Sequence, residues 1–501
     1  MWSDLRRPLS AEMMGVVEAN AVDLGVSLDV LMEHAGRVVA EEAATHLPPV
    51  PARVAVVAGS GNNGGDGTCA AHYLLEWGYR PEVWAVLPPS RITSPSARRC
   101  FLRIERRLPL HLGAPTAADL APFALVVDAM LGTGQRGPLR EPYRSAVRAI
   151  AESRVPALAV DLPTGARDPA GLRPTWTVAL TAPKEEMDAA TAGTVSVRDI
   201  GIPPAAWFET GAGEFRLFPS ARLEASGRGA RVVVVAGGPY AGAPALAALA
   251  ALRSGAERAT VVTPAGVSAQ VQAFAPDLVV EAIGDRHFEP AHVPEVVAFV
   301  EAAHPQAIVL GMGVGKAPET VEAMGLLLRT WAGRRPIVVD ADALRALAGG
   351  LPTERGPAPL IVTPNAGEYR RDFDGPEAAD RAERRLHVTA SAERTRVTIV
   401  AKGETDVISD GGRTVENRHH SPYQTVAGAG DILGGLLGHL LGEGLDGFAA
   451  GRLGTYWVGE AGIRAGARAG AGLLASDLLA ELPAALLRGV GRVRPPVLRT
   501  G

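Results

Sequence analysis

The sequence predicts an α/β protein of two domains. Its 501 residues are too many for one hydrophobic core. In both halves, short apolar runs that end in glycine-rich or acidic loops alternate with apolar residues at helical spacing. Near the end, residues 425–442 read TVAGAGDILGGLLGHLLG, a small-residue loop opening an apolar helix. Boundaries are expected at 1–218 and 219–501.

Composition narrows the class. With 47% hydrophobic and 21% charged residues the chain is globular, and a net charge of −4 argues against a nucleic-acid partner. Cys69 and Cys100 provide no disulfide framework, so a reducing, cytoplasmic compartment is expected. The start, MWSDLRRPLSAEMM, lacks the apolar core of a signal peptide. Residues 232–252 carry no charge and are long enough to span a bilayer. They contain GGP and GAP, however, and so read as strand, loop and helix, with no membrane contact expected.

In chain order, residues 11–46 show a helical apolar stripe through Met14, Val17, Val22, Leu24, Leu28, Leu31 and Met32. The run RVAVVA at 53–58 is a buried strand, followed by GSGNNGGDG at 59–67, a helix, and a strand at 82–87. That order is a βαβ unit. The loop matches G-x-G-x-x-G, but the place where a dinucleotide fold has its ribose-binding acid reads Leu87-Pro88-Pro89-Ser90. An ordinary dinucleotide site is therefore excluded. Further strands at 124–127 and 155–160 run into Asp128 and Asp161, at strand ends where open α/β sheets bind ligands. Asn63, Asp128 and the Thr164 hydroxyl together offer oxygen ligands to a monovalent cation, although helix capping explains an Asp equally well.

The whole chain has three lysines, Lys184, Lys316 and Lys402. Residues 209–230 are small, polar and glycine-rich, and read as a connection between domains. Beyond them, strands are expected at 231–236, 260–263, 307–310, 336–339, 360–363 and 396–401, with a helix at 245–254. The loop GMGVGK after 310 is not a P-loop, because position 310 is Leu and Ala317 follows Lys316. A hairpin turns at Asp410-Gly411-Gly412. In GAGD, the free N–H groups of Gly428, Ala429 and Gly430 and the helix dipole make an anion site beside Asp431. Asp431 then either caps the helix or activates a hydroxyl for attack on a phosphoryl group, and the residues leave both open.

GSGNNGGDG, VVDAMLGTGQRGPL, AVDLPTG and Lys184 resemble the NAD(P)H-hydrate epimerase family. The series GGPYAGAP, GMGVG, DADAL, TPNAGE, AKGETD and TVAGAGDILGG is similar to the NAD(P)H-hydrate dehydratase branch of ribokinase-like proteins. The resemblance implies a Rossmann-like three-layer sandwich followed by a ribokinase-like domain. The implied activity is repair of hydrated cofactors, with the first half interconverting R and S hydrates of NADH and NADPH (NADHX and NADPHX). The second half would dehydrate the S form at the expense of ADP or ATP. By the same resemblance Asn62, Asn63, Gly64, Gly65 and Asp66, with Gly132, Thr133, Gly134, Gln135, Arg136, Gly137 and Pro138, bind the hydrate. Asn63, Asp128 and Thr164 hold potassium, while Asp161 and Lys184 are catalytic. In the second half Ala243, Gly313, Asn365 and Asp431 contact the hydrate, with Asp431 as base. Lys402, Gly403, Glu404, Thr405, Asp406 and Gly430 hold the nucleotide, with magnesium as a further ion and a homo-oligomer as the expected assembly. The sequence departs from the family at Thr164 (usually Ser), Met312 (usually Pro), Asn365 (usually His) and the 226–229 segment (usually His-Lys-Gly).

Overall fold

The computed structural model describes residues 8–135, 137–223, 229–349 and 356–493. It divides into two compact units, Met1–Pro204 and Ala205–Gly501.

In the first unit, strands β1 (Arg53–Ala58), β2 (Arg80–Ala85), β3 (Leu110–Leu112), β4 (Leu125–Ala129), β5 (Ala157–Val160), β6 (Trp176–Leu180) and β7 (Thr194–Arg198) form one sheet. Its order is β3-β2-β1-β4-β5-β6-β7 and every pairing is parallel. The order reverses between β1 and β4, so the loops after these two strands flank the switch point where such sheets bind ligands. Both strands are almost wholly buried, which explains their unbroken apolar runs. The sequence reading missed β3 and β7 for a physical reason. They are edge strands with exposed residues, so no buried run marks them.

The second unit holds β8 (Arg231–Val235), β9 (Arg258–Thr263), β10 (Val279–Ala282), β11 (Ala307–Leu310), β12 (Ile337–Val339), β13 (Leu360–Val362), β14 (Thr398–Ala401), β15 (Asp406–Ser409) and β16 (Thr414–Asn417). They lie in the order β10-β9-β8-β11-β12-β13-β14-β15-β16, parallel as far as β14 and then closed by an antiparallel hairpin. The uncharged stretch 232–252 is the rest of β8, a loop and most of the helix Gly242–Ser254. Among the described residues no helix is long and apolar enough to cross a membrane.

The helix Ala429–Gly442 is buried along nearly its whole length. Its glycines make that packing possible. A Cβ on Gly435 would lie 1.9 Å from the Ala247 carbonyl oxygen, and one on Gly438 would lie 2.3 Å from Val309. The segment expected to be a loose connection differs from that expectation. Residues Ala212–Leu217 form a 3-10 helix whose Phe215 meets Tyr456 and Trp457 edge-on, at 5.8 and 6.2 Å. Glu214, fully buried, accepts two hydrogen bonds from Arg452 at 2.7 and 3.0 Å. Small polar residues hid one aromatic anchor and one buried ion pair, so the compact units divide at Pro204 rather than near 218.

Candidate functional site

In the first unit, Asn62, Asn63, Gly64, Gly65 and Asp66 form the opening turns of the helix Asn62–Glu76, capped by Gly61. No side chain fits at Gly64, where a Cβ would sit 1.9 Å from the Gly59 carbonyl oxygen. Asp128 closes on Thr164. Its carboxylate accepts from the Thr164 hydroxyl at 2.7 Å and from the Thr164 N–H at 2.9 Å, and also from the Met130 N–H at 3.2 Å. No cationic side chain pairs with Asp128 among the described residues, and burial pushes its pKa up to about 6. The Leu131 N–H donates to Thr164 Oγ1 at 3.0 Å, while Asn63 lies against the next residue, Gly132. The buried Asn63 amide has no hydrogen-bond partner for either its oxygen or its nitrogen. Orphaned polar atoms of this kind ask for a ligand.

Asp161, at a strained positive φ of 64°, is ion-paired with Lys184, which is wholly buried and also donates to the Leu180 carbonyl at 2.8 Å. Beside them, burial first and then the Asp161 charge hold the Asp66 carboxyl well above its ordinary range. Gly132, Thr133, Gln135, Gly137 and Pro138 line an open cleft opposite Leu162 and Asp168. Gln135 Oε1 accepts from the Gly165 N–H at 3.0 Å, tying the cleft to the Thr164 loop. Gly134 is exposed at the tip, and Arg136 lies outside the described residues.

In the second unit, Gly428 takes a left-handed φ of 95° and starts the helix, placing Asp431 in its first turn. Helix geometry leaves the Gly430 and Asp431 N–H groups without a carbonyl from the preceding turn. Lys402, at the end of β14, donates to Asp340 at 2.8 Å, and its ammonium lies 3.0 Å from where a Gly430 Cβ would stand. A cation therefore fronts the anion site. Burial works against the Lys402 charge, but Asp340, Glu368 and Asp431 outweigh it and raise its pKa. The Asp431 carboxyl is pushed up to about 7, by burial first and then by Asp340. That proton affinity suits a base working near neutrality.

The remaining residues divide. Ala243 and Gly313 pack together, with a Gly313 Cβ 3.2 Å from that of Ala243. Asn365 caps the helix Ala366–Phe373, accepting from the Glu368 N–H at 3.0 Å while Glu368 accepts from the Asn365 N–H at 2.8 Å. Gly403 and Glu404 are exposed, and His420 Nε2 donates to the Glu404 carbonyl at 2.5 Å. Thr405 is buried and its carbonyl accepts from Arg384. Asp406 turns inward, accepting from the Gly403 N–H and the Asn417 amide, both at 3.0 Å, so its carboxyl serves the hairpin. Sequence reasoning placed Asp340 at a strand end without giving it a role, and left out Glu368 and Arg384. Asp340 and Glu368 had signals, an acid at a strand end in DADAL and capping-box spacing in NAGE.

Two family profiles match the chain. One described as YjeF-related protein N-terminus covers residues 28–186, and one described as NAD(P)H-hydrate dehydratase covers residues 232–484. A bifunctional NAD(P)H-hydrate repair enzyme of Hyperthermus butylicus is 35% identical, covering 96% of this chain and 93% of that protein. Another, of Pyrobaculum aerophilum, is 36% identical over 95% of this chain and 97% of the relative. The chain belongs to the bifunctional NAD(P)H-hydrate repair enzyme family. An ADP/ATP-dependent NAD(P)H-hydrate dehydratase from Bacillus subtilis, co-crystallised with ATP/Mg2+, covers 52% of this chain and 90% of its own at 24% identity and a TM-score of 0.44. At that score the likeness carries no argument. For the repair-enzyme family the two profiles fall one on each compact unit.

Proposed function

We propose that this chain repairs hydrated reduced nicotinamide cofactors. Its first unit interconverts the R and S hydrates of NADH and NADPH. Its second dehydrates the S hydrate with ADP, giving AMP and phosphate. The observation that carries this reading is the placement of Asp431 at a helix N-terminus fronted by Lys402. There Asp431 takes the proton from the hydrate hydroxyl as that oxygen attacks the terminal phosphoryl group. Lys402 and the Gly430 N–H stabilise the charge that develops on the transferring oxygens. Phosphate then leaves with the carbon–oxygen bond, the adjacent ring carbon gives up its proton to water, and the ring double bond returns. The Glu368 carboxyl, raised by burial, would hold a magnesium ion, which when bound neutralises nucleotide phosphate charge.

In the first unit, Asp66, whose proton affinity burial raises, is the proton donor, and Asp161, ion-paired with Lys184, the acceptor. Potassium fits the orphaned Asn63 amide oxygen, the uncompensated Asp128 carboxylate and the Thr164 hydroxyl. Bound there, it supplies a fixed positive charge at the cleft. A cytoplasmic location accords with Cys69 and Cys100 being free thiols.

The test is recovery of nicotinamide absorbance at about 340 nm from purified S and mixed hydrates, with and without ADP. ADP-dependent recovery with one free phosphate per cofactor is expected. A stable phosphorylated product would instead make the second unit a small-molecule kinase, and ADP binding without turnover would make it a sensor.

A further inference from the structure

The only two cysteines of the chain lie on neighbouring helices, Cys69 on Asn62–Glu76 and Cys100 on Pro95–Ile104. These helices touch closely. A Cβ on Gly65 would lie 2.7 Å from that of Ala97, and one turn further along each helix the two sulfurs come within 4.8 Å of each other. Both sulfurs and a carboxylate oxygen of Glu33 lie within 4.8 Å of one another. The Cys69 thiol donates to Glu33 Oε2 at 3.5 Å. Arg103, one turn beyond Cys100, grips both oxygens of the same carboxylate at 2.9 and 3.1 Å. A metal ion at this cluster would have to displace that guanidinium, so the donor set favours thiol chemistry over metal binding.

We propose that Cys69 and Cys100 are a modification site, oxidised reversibly by small peroxides to an intramolecular disulfide that clamps the helix carrying Asn63 and Asp66. The groups needed are in place. Cys100 attacks one peroxide oxygen as the thiolate, which the Arg103 charge favours. The O–O bond breaks, water leaves with the thiol proton, and Cys100 becomes a sulfenic acid. Cys69 then attacks the sulfur, and its proton passes to the departing sulfenic oxygen. The S–O bond breaks, the S–S bond forms and a second water leaves. Two thiols lose two electrons and two protons, and the peroxide accepts both. Cys69 is fully buried and Cys100 is 5% exposed, so bulky disulfides such as oxidised glutathione are kept out.

The experiment treats the intact, purified chain with hydrogen peroxide, then counts thiols in denaturant and maps peptides by mass. Expected is the joint loss of both thiols, a linked Cys69–Cys100 peptide in a species of unchanged oligomeric size, and recovery with dithiothreitol. Cys100→Ser should give no linked peptide. Amide exchange across residues 62–70 should slow in the oxidised chain and stay unchanged in peroxide-treated Cys100→Ser. Survival of both thiols, sulfinic acid at one sulfur, links between chains, or stoichiometric zinc in the purified protein would each overturn the proposal. Equal oxidation by glutathione disulfide would overturn the small-oxidant restriction, and a disulfide that leaves exchange unaltered would overturn the clamp.

Discussion

The Lys402 ammonium lies 2.8 Å from the buried Asp340 carboxylate, and the pair stands beside Gly430 at the mouth of the helix that carries Asp431. One carboxylate thus does two things: it holds a cation beside the helix N-terminus and raises the proton affinity of Asp431. Asp340→Asn removes both. The acid limb of dehydratase kcat/KM, expected near pH 7 in the parent, should move to lower pH because a negative neighbour is gone. The KM for ADP should rise by about tenfold as Lys402 loses its anchor, roughly 1.4 kcal/mol. An unmoved pH limb with normal ADP binding would reduce Asp340 to a packing group.

Asp431→Asn should keep the fold, because Asp431 is half-buried and the helix is started by Gly428. Loss of a general base typically costs about 10²–10⁴-fold in rate. Steady-state turnover of S hydrate checks this, and near-parental turnover would leave Asp431 with no role beyond its place in the first turn.

Asp128→Ala should stop conversion of R to S hydrate while ADP-dependent repair of pure S hydrate continues. On a mixed hydrate the variant should stall at about half recovery, apart from slow spontaneous epimerisation. The pH dependence has a definite sign. The folded protein raises the Asp128 pKa from 3.8 to about 6, so this carboxyl's contribution to stability is fully present below the lower value and is lost as pH rises through the upper one. A cation requires the ionised form. Potassium should therefore activate the epimerase increasingly as pH rises through about 6, and should offset the lost stability over the same range. Thermal melts with potassium against a large organic cation measure it.

Asn365 joins hydrate binding, as proposed from the family, to a capping box that the structure makes visible. Asn365→Ala should cost about 1 kcal/mol through the lost cap, and Asn365→Asp should cost less because its oxygen still accepts from the Glu368 N–H. Asn365→His, expected from the family resemblance to be tolerated in turnover, should lower the melting temperature. Denaturant unfolding alongside turnover separates the two effects.

The sequence by itself determined the parts governed by local chemistry. Buried strands announced themselves as short apolar runs at β1, β4, β5 and β11, and glycine marked where backbone must approach backbone, as at Gly64 and Gly435. The helix start in GAGD and its adjoining acid were legible for the same reason, since a helix N-terminus is a property of a few consecutive residues, although the Ala429 N–H, expected free, donates to the Val426 carbonyl at 3.2 Å. Tertiary structure alone decided which distant groups meet. Lys402 and Asp340 are 62 positions apart, and Cys69 and Glu33 are 36. It also decided that Asp406, read as a nucleotide contact, commits its carboxyl to the hairpin, and that Phe215 and Glu214 belong to the second core. Periodicity reports burial along one element; the proton affinity of Asp431 depends on charges and desolvation contributed by three others, and only their packing together sets it.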